Sequence, residues 1–320
     1  MEFESESRSV QTEAVFMGAC IIDLMAYASR FPNPGETLSG KHFIKDNGGK
    51  SANACVMAAK LGLRTAMLAK IGDDCFGKDL YENFKQFNIN TDNVFISNES
   101  HSPVSLITVT DSGQNTIVYT PGTANFLSSA DIERRKEHIF KGIKLFVSTF
   151  ECKPEALLSA LKLAKQYKIP TLINGAPCFT TPFDKQIFKF IDIFCVNEIE
   201  TQEMTGMAIN SIEDAKKASI YLLELGCLSA IITLGENGAV YAANKQEVHH
   251  IPSEKVAAVD TTGAGDAFNG ALAYYLVRES NSSVEEKIRR ACVIAAKSTL
   301  KKGTQASFPS KSDLPKELFL

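Results

Sequence analysis

Short apolar runs, each stopped by a polar residue and most followed by a helical repeat, recur along this chain, and few architectures accommodate that pattern. The runs go from Ala14 to Ile22, Arg64 to Ile71, Ile143 to Thr149, Pro170 to Ile173, Asp192 to Val196 and Ser229 to Thr233. Runs that are apolar throughout suit strands buried on both faces, and strands joined through helices lie parallel. The pattern therefore predicts an α/β fold, a three-layer α/β/α sandwich with a mostly parallel central sheet. In such a sheet ligands bind outside the carboxyl ends of the strands. The residues at or just past those ends include Asp23, Glu151, Asn174, Asn197 and Thr233. Each alone is an ordinary turn or cap residue, but in series they predict one lined crevice.

One region breaks the alternation of strand and helix. Val104 to Thr110 and Asn115 to Tyr119 alternate apolar and polar residues around Asp111-Ser112-Gly113, which predicts a hairpin with one solvated face. With the Leu38 to Ile44 segment it makes a small separate sheet, a lid formed by about 36–47 and 103–121. A lid excludes water from a reacting site, and its free face can also join two copies of the chain. Residues 14–320 are expected to form a single domain, and the polar, acidic residues 1–13 a disordered tail.

Composition removes several function classes. A net charge of −3 offers no basic surface to nucleic acid. No apolar run is long enough to span a membrane. The eight cysteines are dispersed without a C-x-x-C pair, and the five histidines lack metal-ligand spacing. The N-terminus has neither the basic nor the apolar region of a secretory or mitochondrial leader. These features predict a cytoplasmic protein, with access to the nucleus left open, and no protein-built metal site.

Two stretches carry chemistry. Gly263-Ala264-Gly265 precedes Asp266, and the apolar pattern Phe268, Ala271, Leu272, Tyr275, Leu276 opens a helix there. Unpaired N–H groups and the helix dipole make that mouth welcoming to an anion. Asp266 could simply cap the helix, but a cap does not require three small residues before it. Beside an anion cradle it suits a general base for a hydroxyl attacking a phosphoryl group. The second stretch is Gly48-Gly49-Lys50-Ser51-Ala52-Asn53. Its Gly-Lys-Ser is not a Walker phosphate loop, because Ile44 stands where that motif needs glycine. The glycines admit a ligand closely, while Lys50 and Asn53 suit sugar hydroxyls. Gly263-x-Gly265 is no dinucleotide fingerprint either, since Phe268 occupies the third glycine position.

Asp260-Thr261-Thr262-Gly263-Ala264-Gly265-Asp266 with Gly270 resembles the C-terminal signature of the ribokinase family of carbohydrate and nucleoside kinases. Gly48-Gly49-Lys50-Ser51-Ala52-Asn53 resembles its N-terminal signature, Asn197-x-x-Glu200 its N-x-x-E motif, and Thr233-Leu234-Gly235-Glu236-Asn237-Gly238 its nucleotide loop. The resemblance implies the ribokinase-like fold and ATP-dependent phosphorylation of a sugar, D-ribose at O5. It implies that Asp266 is the base and that Gly263, Ala264 and Gly265 form the anion hole. Asp23, Gly49, Lys50, Asn53 and Glu151 would hold the sugar. Asn197 and Glu200 would organise phosphate and hydrated Mg²⁺, while Thr233, Gly235, Glu236, Asn237, Gly238 and Gly265 would meet ATP. A K⁺ site would use Asp260 and Thr262, with Ser298, Lys301, Gly303 and Ser307. The lid would pair two subunits into a homodimer. Other acceptors (deoxyribose, a ketohexose, a nucleoside) and a catalytically silent sugar-binding regulator stay open as alternatives. Ser51 stands where such kinases usually carry glycine, so its hydroxymethyl is expected to crowd the sugar.

Overall fold

A computed structural model describes residues 11–179 and 182–320. The strands are β1 (Ala14–Met17), β2 (Ile21–Ala28), β3 (His42–Gly48), β4 (Thr65–Gly72), β5 (Asn90–Ser97), β6 (Val104–Thr110) and β7 (Asn115–Thr120). They continue as β8 (Leu145–Thr149), β9 (Thr171–Asn174), β10 (Ile193–Asn197), β11 (Ser229–Thr233), β12 (Ala239–Ala242) and β13 (Val248–Ile251). The helices are α1 (Lys50–Lys60), α2 (Cys75–Gln86), α3 (Ser129–Arg134), α4 (Lys136–Phe140) and α5 (Pro154–Gln166). After them come α6 (Glu198–Thr205), α7 (Ile212–Leu225), α8 (Ala264–Arg278) and α9 (Val284–Ser298).

The larger sheet runs β13-β12-β11-β10-β9-β8-β1-β4-β5. Its strands from β11 to β5 pair parallel, and β12 and β13 close one edge antiparallel. Successive side chains of a strand point to opposite faces. Ala14 and Phe16 thus join the core beneath α1 and α8, whereas Val15 and Met17 join the core beneath α5 and α7. Helices cover both faces, the three-layer arrangement the apolar runs require. β5, β12 and β13 escape the sequence pattern. β5 opens with four polar residues, and β13 carries two histidines.

The run from Ala14 to Ile22 is not one strand. β1 stops at Met17, and the carbonyl of Met17 accepts the hydroxyls of Ser51 (2.6 Å) and Ser148 (2.8 Å). The chain turns at Gly18 and enters the second sheet, of order β3-β2-β6-β7. Asp23 therefore lies on β2 of the small sheet, opposite Asp46 of β3, and not at the end of a core strand. Periodicity cannot reveal such a switch, because both halves of the run are apolar. The small sheet accordingly contains β2 in addition to the two segments expected.

Met1–Val10 of the expected tail lie outside the described residues. The tail does not extend to Glu13. That side chain is 2% exposed and pairs with Arg278 (2.6 Å), Arg64 (3.2 Å) and Lys144 (3.3 Å), so three cations offset the cost of burying it.

Candidate active site

The carboxyl ends of β8, β10 and β11, the start of α1 and the start of α8 converge on one crevice beneath the small sheet. Gly49 caps α1 with a φ of 94°, a backbone state that side chains disfavour. A Cβ there would also strike the carbonyl of Ala19, so only glycine lets α1 begin this close to the β1–β2 turn. The consequence is positional. The N–H of Lys50 donates to Glu151 Oε2 at 2.7 Å, and Asn53 Nδ2 donates to Asp266 Oδ2 at 2.8 Å.

Asp266 occupies the first turn of α8, whose N-cap is Gly263 at φ 76° with no side-chain cap bond. A carboxylate that merely capped the helix would accept from that turn. Asp266 turns to Asn53 instead. Ala264 N–H donates to Thr261 O at 3.2 Å. The N–H groups of Gly265 and Asp266 meet no protein acceptor among the described residues, and they sit where a helix attracts an anion.

The electrostatics match a proton-transfer site. Burial raises Asp266 above the ordinary carboxylate range, against the opposing pull of Lys50 and Asn53. Burial pushes Glu151 up to about 7, with Lys50 again opposing and Asp266 adding to the rise. Asp23 rises to about 6 through burial, opposed by a hydrogen bond with Ser105 and reinforced by Asp46 and Asp266. Burial alone would lower Lys50, but Asp266, Glu151 and Glu200 outweigh it and hold the ammonium charged. Carboxylates competing around one cation are a mark of functional sites.

Beside this cluster opens a cleft of 490 Å³. Asn197, Thr233, Gly235, Glu236, Gly238 and Gly265, which the resemblance assigns to phosphate, Mg²⁺ or ATP, line it. Asn197 and Glu200 form a reciprocal capping box on α6, with N–H to side-chain distances of 2.8 and 2.9 Å. Asn237 and Glu200 are not among the wall residues, and the Asn237 carbonyl faces the ring of His250 at 2.7 Å. Much of the apolar wall was not foreseen. It comes from Val256, Ala258 and Phe268 and from Cys292, Ala295, Ala296 and Thr299 of the α9 region. The last four recur at helical spacing and are all small, a stripe that leaves room for a flat ring. That spacing is the signal the sequence offered.

The cation-site residues are only partly brought together. Asp260 accepts the N–H groups of Thr262 and Gly303, both at 3.0 Å. Burial alone would raise its carboxyl, but those donors hold it below the usual range. The hydroxyls of Ser298 and Ser307 donate to carbonyls of their own segments, Ala295 (2.7 Å) and Thr304 (2.9 Å). Lys301 is exposed. Among the described residues no group of three or more His, Cys, Asp or Glu converges as a metal cluster. No helix there is long and apolar enough to cross a membrane.

Contrary to expectation, Ser51 does not crowd the cluster of Asp23, Lys50, Asn53, Glu151 and Asp266. Its hydroxyl is buried, donates to Met17 O and lies 3.0 Å from Thr149 Oγ1. Thr149 Oγ1 in turn receives the N–H of Glu151 at 3.2 Å.

Known proteins resemble this chain in sequence and in fold. A family model described as pfkB family carbohydrate kinase matches residues 11–311. A ribokinase of Mus musculus is 42% identical over 306 residues, which covers 95% of this chain and 94% of that protein. A deoxyribokinase of Salmonella typhi is 37% identical over 294 residues, with coverage of 92% and 94%. The solved structure of Arabidopsis thaliana ribokinase, complexed with ribose and ATP, superposes with a TM-score of 0.88 at 26% identity, across 97% of this chain and 99% of that one. A match spanning nearly the whole length, on a fold that places these motifs around one crevice, puts this chain in the pfkB family of carbohydrate kinases.

Proposed function

We propose that the protein is an ATP-dependent ribose kinase that phosphorylates D-ribose at O5. The observation that carries this reading is Asp266, a half-buried carboxylate released from capping, set between the sugar-type cluster and the nucleotide-type cleft. Asp23, Gly49, Lys50, Asn53 and Glu151 hold the sugar with O5–H toward Asp266. The carboxylate takes the proton as O5 bonds to the γ-phosphorus and the bridging P–O bond to ADP breaks. The N–H groups of Gly265 and Asp266, at the helix mouth that Gly263 and Ala264 open, meet the charge on the transferring group. Positioning and electrostatics carry most of the catalysis in such a transfer. The half-buried Glu200 carboxylate, raised by burial and facing Lys50, fits an outer partner of hydrated Mg²⁺, as does Asn197. That ion neutralises phosphate charge when bound with ATP. Asp260, held below the usual carboxylate range by the N–H groups of Thr262 and Gly303, fits one side of a K⁺ site, to which the resemblance adds Ser298, Lys301 and Ser307. The ribokinase relatives and the ribose–ATP complex of the plant protein support this acceptor.

The small sheet is a lid and, we infer, the contact of a homodimer. Phe43 and Ile44 are neighbours in β3, Ile117, Val118 and Tyr119 in β7, and all are exposed. Neighbours in a strand face opposite ways, so both faces of the sheet are apolar and both call for cover.

ATP-dependent ADP release with ribose, 2-deoxyribose, fructose and adenosine, in sodium and in potassium buffer, tests the reading. Ribose-selective turnover raised by potassium is expected. Preference for 2-deoxyribose, the alternative favoured by the 37% identical deoxyribokinase, would move the acceptor and keep the mechanism. Sugar binding without turnover would leave a silent regulator.

A further inference from the structure

Three buried amides, drawn from three separate parts of the chain, form one line of hydrogen bonds that ends on Asp266. Asn53 Nδ2 donates to Asp266 Oδ2 at 2.8 Å, Gln305 Nε2 donates to Asn53 Oδ1 at 2.9 Å, and Asn83 Nδ2 donates to Gln305 Oε1 at 2.9 Å. Their exposures are 5% for Asn53, 4% for Gln305 and 7% for Asn83. The polarity of the line is dictated from its end. An ionised carboxylate only accepts, so Asn53 must turn its NH₂ to Asp266 and its oxygen to Gln305. Gln305 must then offer its own NH₂, which leaves its oxygen to Asn83.

Gln305 lies in the loop after α9, and that loop is pinned. Lys60 Nζ donates to Gln305 O at 2.8 Å and to Phe308 O at 2.6 Å. The same loop supplies the Gly303 N–H to Asp260, and its Thr304 Cγ2 packs where a Cβ on Gly263 would be. One segment therefore touches the proposed cation site and the anion cradle and, through Asn53, reaches Asp266.

We propose that Gln305 is a positioning residue for phosphoryl transfer, which acts through Asn53 to fix the end of that amide presented to Asp266. This rests on the reading of Asp266 as the base. Without the Gln305 donor, only the charge of Asp266 still keeps the Asn53 oxygen turned away, and a half-turn that sets the Asn53 carbonyl toward the Asp266 carboxyl is no longer opposed from the far side. A hydrogen bond to the charged form of Asp266 is then lost, and its proton affinity rises. The other charged groups facing Asp266 are Lys50, Glu151, Glu200 and Asp23. The substitutions below leave all four in place.

The test reads Asp266 directly. Aspartate-selective ¹³C labelling, with the Asp266 signal identified by its loss in Asp266→Asn, gives the titration of that carboxylate without any need for turnover. Gln305→Leu removes both polar atoms, and Gln305→Glu replaces the donor by an acceptor. Both are expected to raise the Asp266 midpoint, Glu more than Leu. Both should lower kcat by about 10-fold or more while the KM for ATP stays put. In an Asn53→Ala background they should add nothing, because Gln305 acts through Asn53. Asn83→Ala removes only the outermost amide and is expected to shift the midpoint the same way by less, which serves if a Gln305 variant fails to fold. An unmoved midpoint, or full additivity with Asn53→Ala, overturns the proposal. Shifted midpoints in a wild type that turns over no sugar would sink the kinase reading and leave the amide line standing.

Discussion

Asp266 holds a position in α8 from which acidic residues commonly cap helices, yet its carboxylate accepts from Asn53 and leaves the helix mouth open. A base of this kind contributes on the order of 10²–10⁴-fold. Asp266→Asn is therefore expected to lower kcat by at least about 100-fold while ATP affinity, read by calorimetry, stays within a few-fold. Turnover surviving the change would end the assignment. Glu151 poses a different question, because burial holds its carboxyl near about 7 against an ordinary 4.5. Between those values the folded chain binds a proton that the unfolded chain has released. Stability from this group is thus present in acid and lost as pH rises through the folded value. Glu151→Gln is expected to gain on the order of 1–3 kcal/mol at about pH 8 and almost nothing at about pH 4, while the sugar KM rises. Denaturant titrations at the two pH values check this, and an equal gain at both would refute it. Both residues were legible in the sequence because small residues or a strand end mark their neighbourhoods. Gln305 and Asn83 carry no such mark.

At the scale of elements, the turn between β1 and β2 organises the sugar side of the crevice. Met17 ends β1 with its carbonyl on two hydroxyls, and Gly49 brings α1 against the turn. Ser51 links these parts to Thr149 and so to Glu151. Ser51→Ala is expected to cost on the order of 1–2 kcal/mol, the price of leaving buried polar partners short of a donor. The KM for ribose should hold within a few-fold, because the hydroxyl points away from the sugar cluster. A clear fall in KM would show that the side chain does crowd the substrate. The strand at Ser229–Thr233 and the β6–β7 hairpin follow from local periodicity alone. The division of Ala14 to Ile22 between two sheets does not, since both halves satisfy the same apolar pattern.

At the scale of the whole molecule, a nine-stranded sheet carries the chemistry at one edge and a four-stranded sheet stands over it. Lys45 of β3 pairs with Asp79 of α2 at 2.5 Å, an exposed tie between the two bodies that contributes little by itself. The exposed apolar faces of the small sheet predict a dimer at micromolar concentration, measurable by sedimentation. Phe43→Glu combined with Ile117→Lys is expected to shift it toward monomer and to reduce turnover. A wild type that sediments as a monomer would remove the dimer from this account.

Residues adjacent in the chain determine the parallel layers, the polar strand ends, the small-residue mouth of α8 and the placing of Asp266 just inside it. Strand and helix periods, and the room a phosphate needs, are written within a few positions of one another. Tertiary structure alone decided which sheet receives Asp23, where the Ser51 hydroxyl points and which amides reach Asp266. Those outcomes depend on contacts across 213 residues for Asn53 with Asp266 and 252 for Gln305 with Asn53. No local pattern encodes such a contact, because it exists only once the helices have packed and left buried amides and a half-buried carboxylate in need of partners.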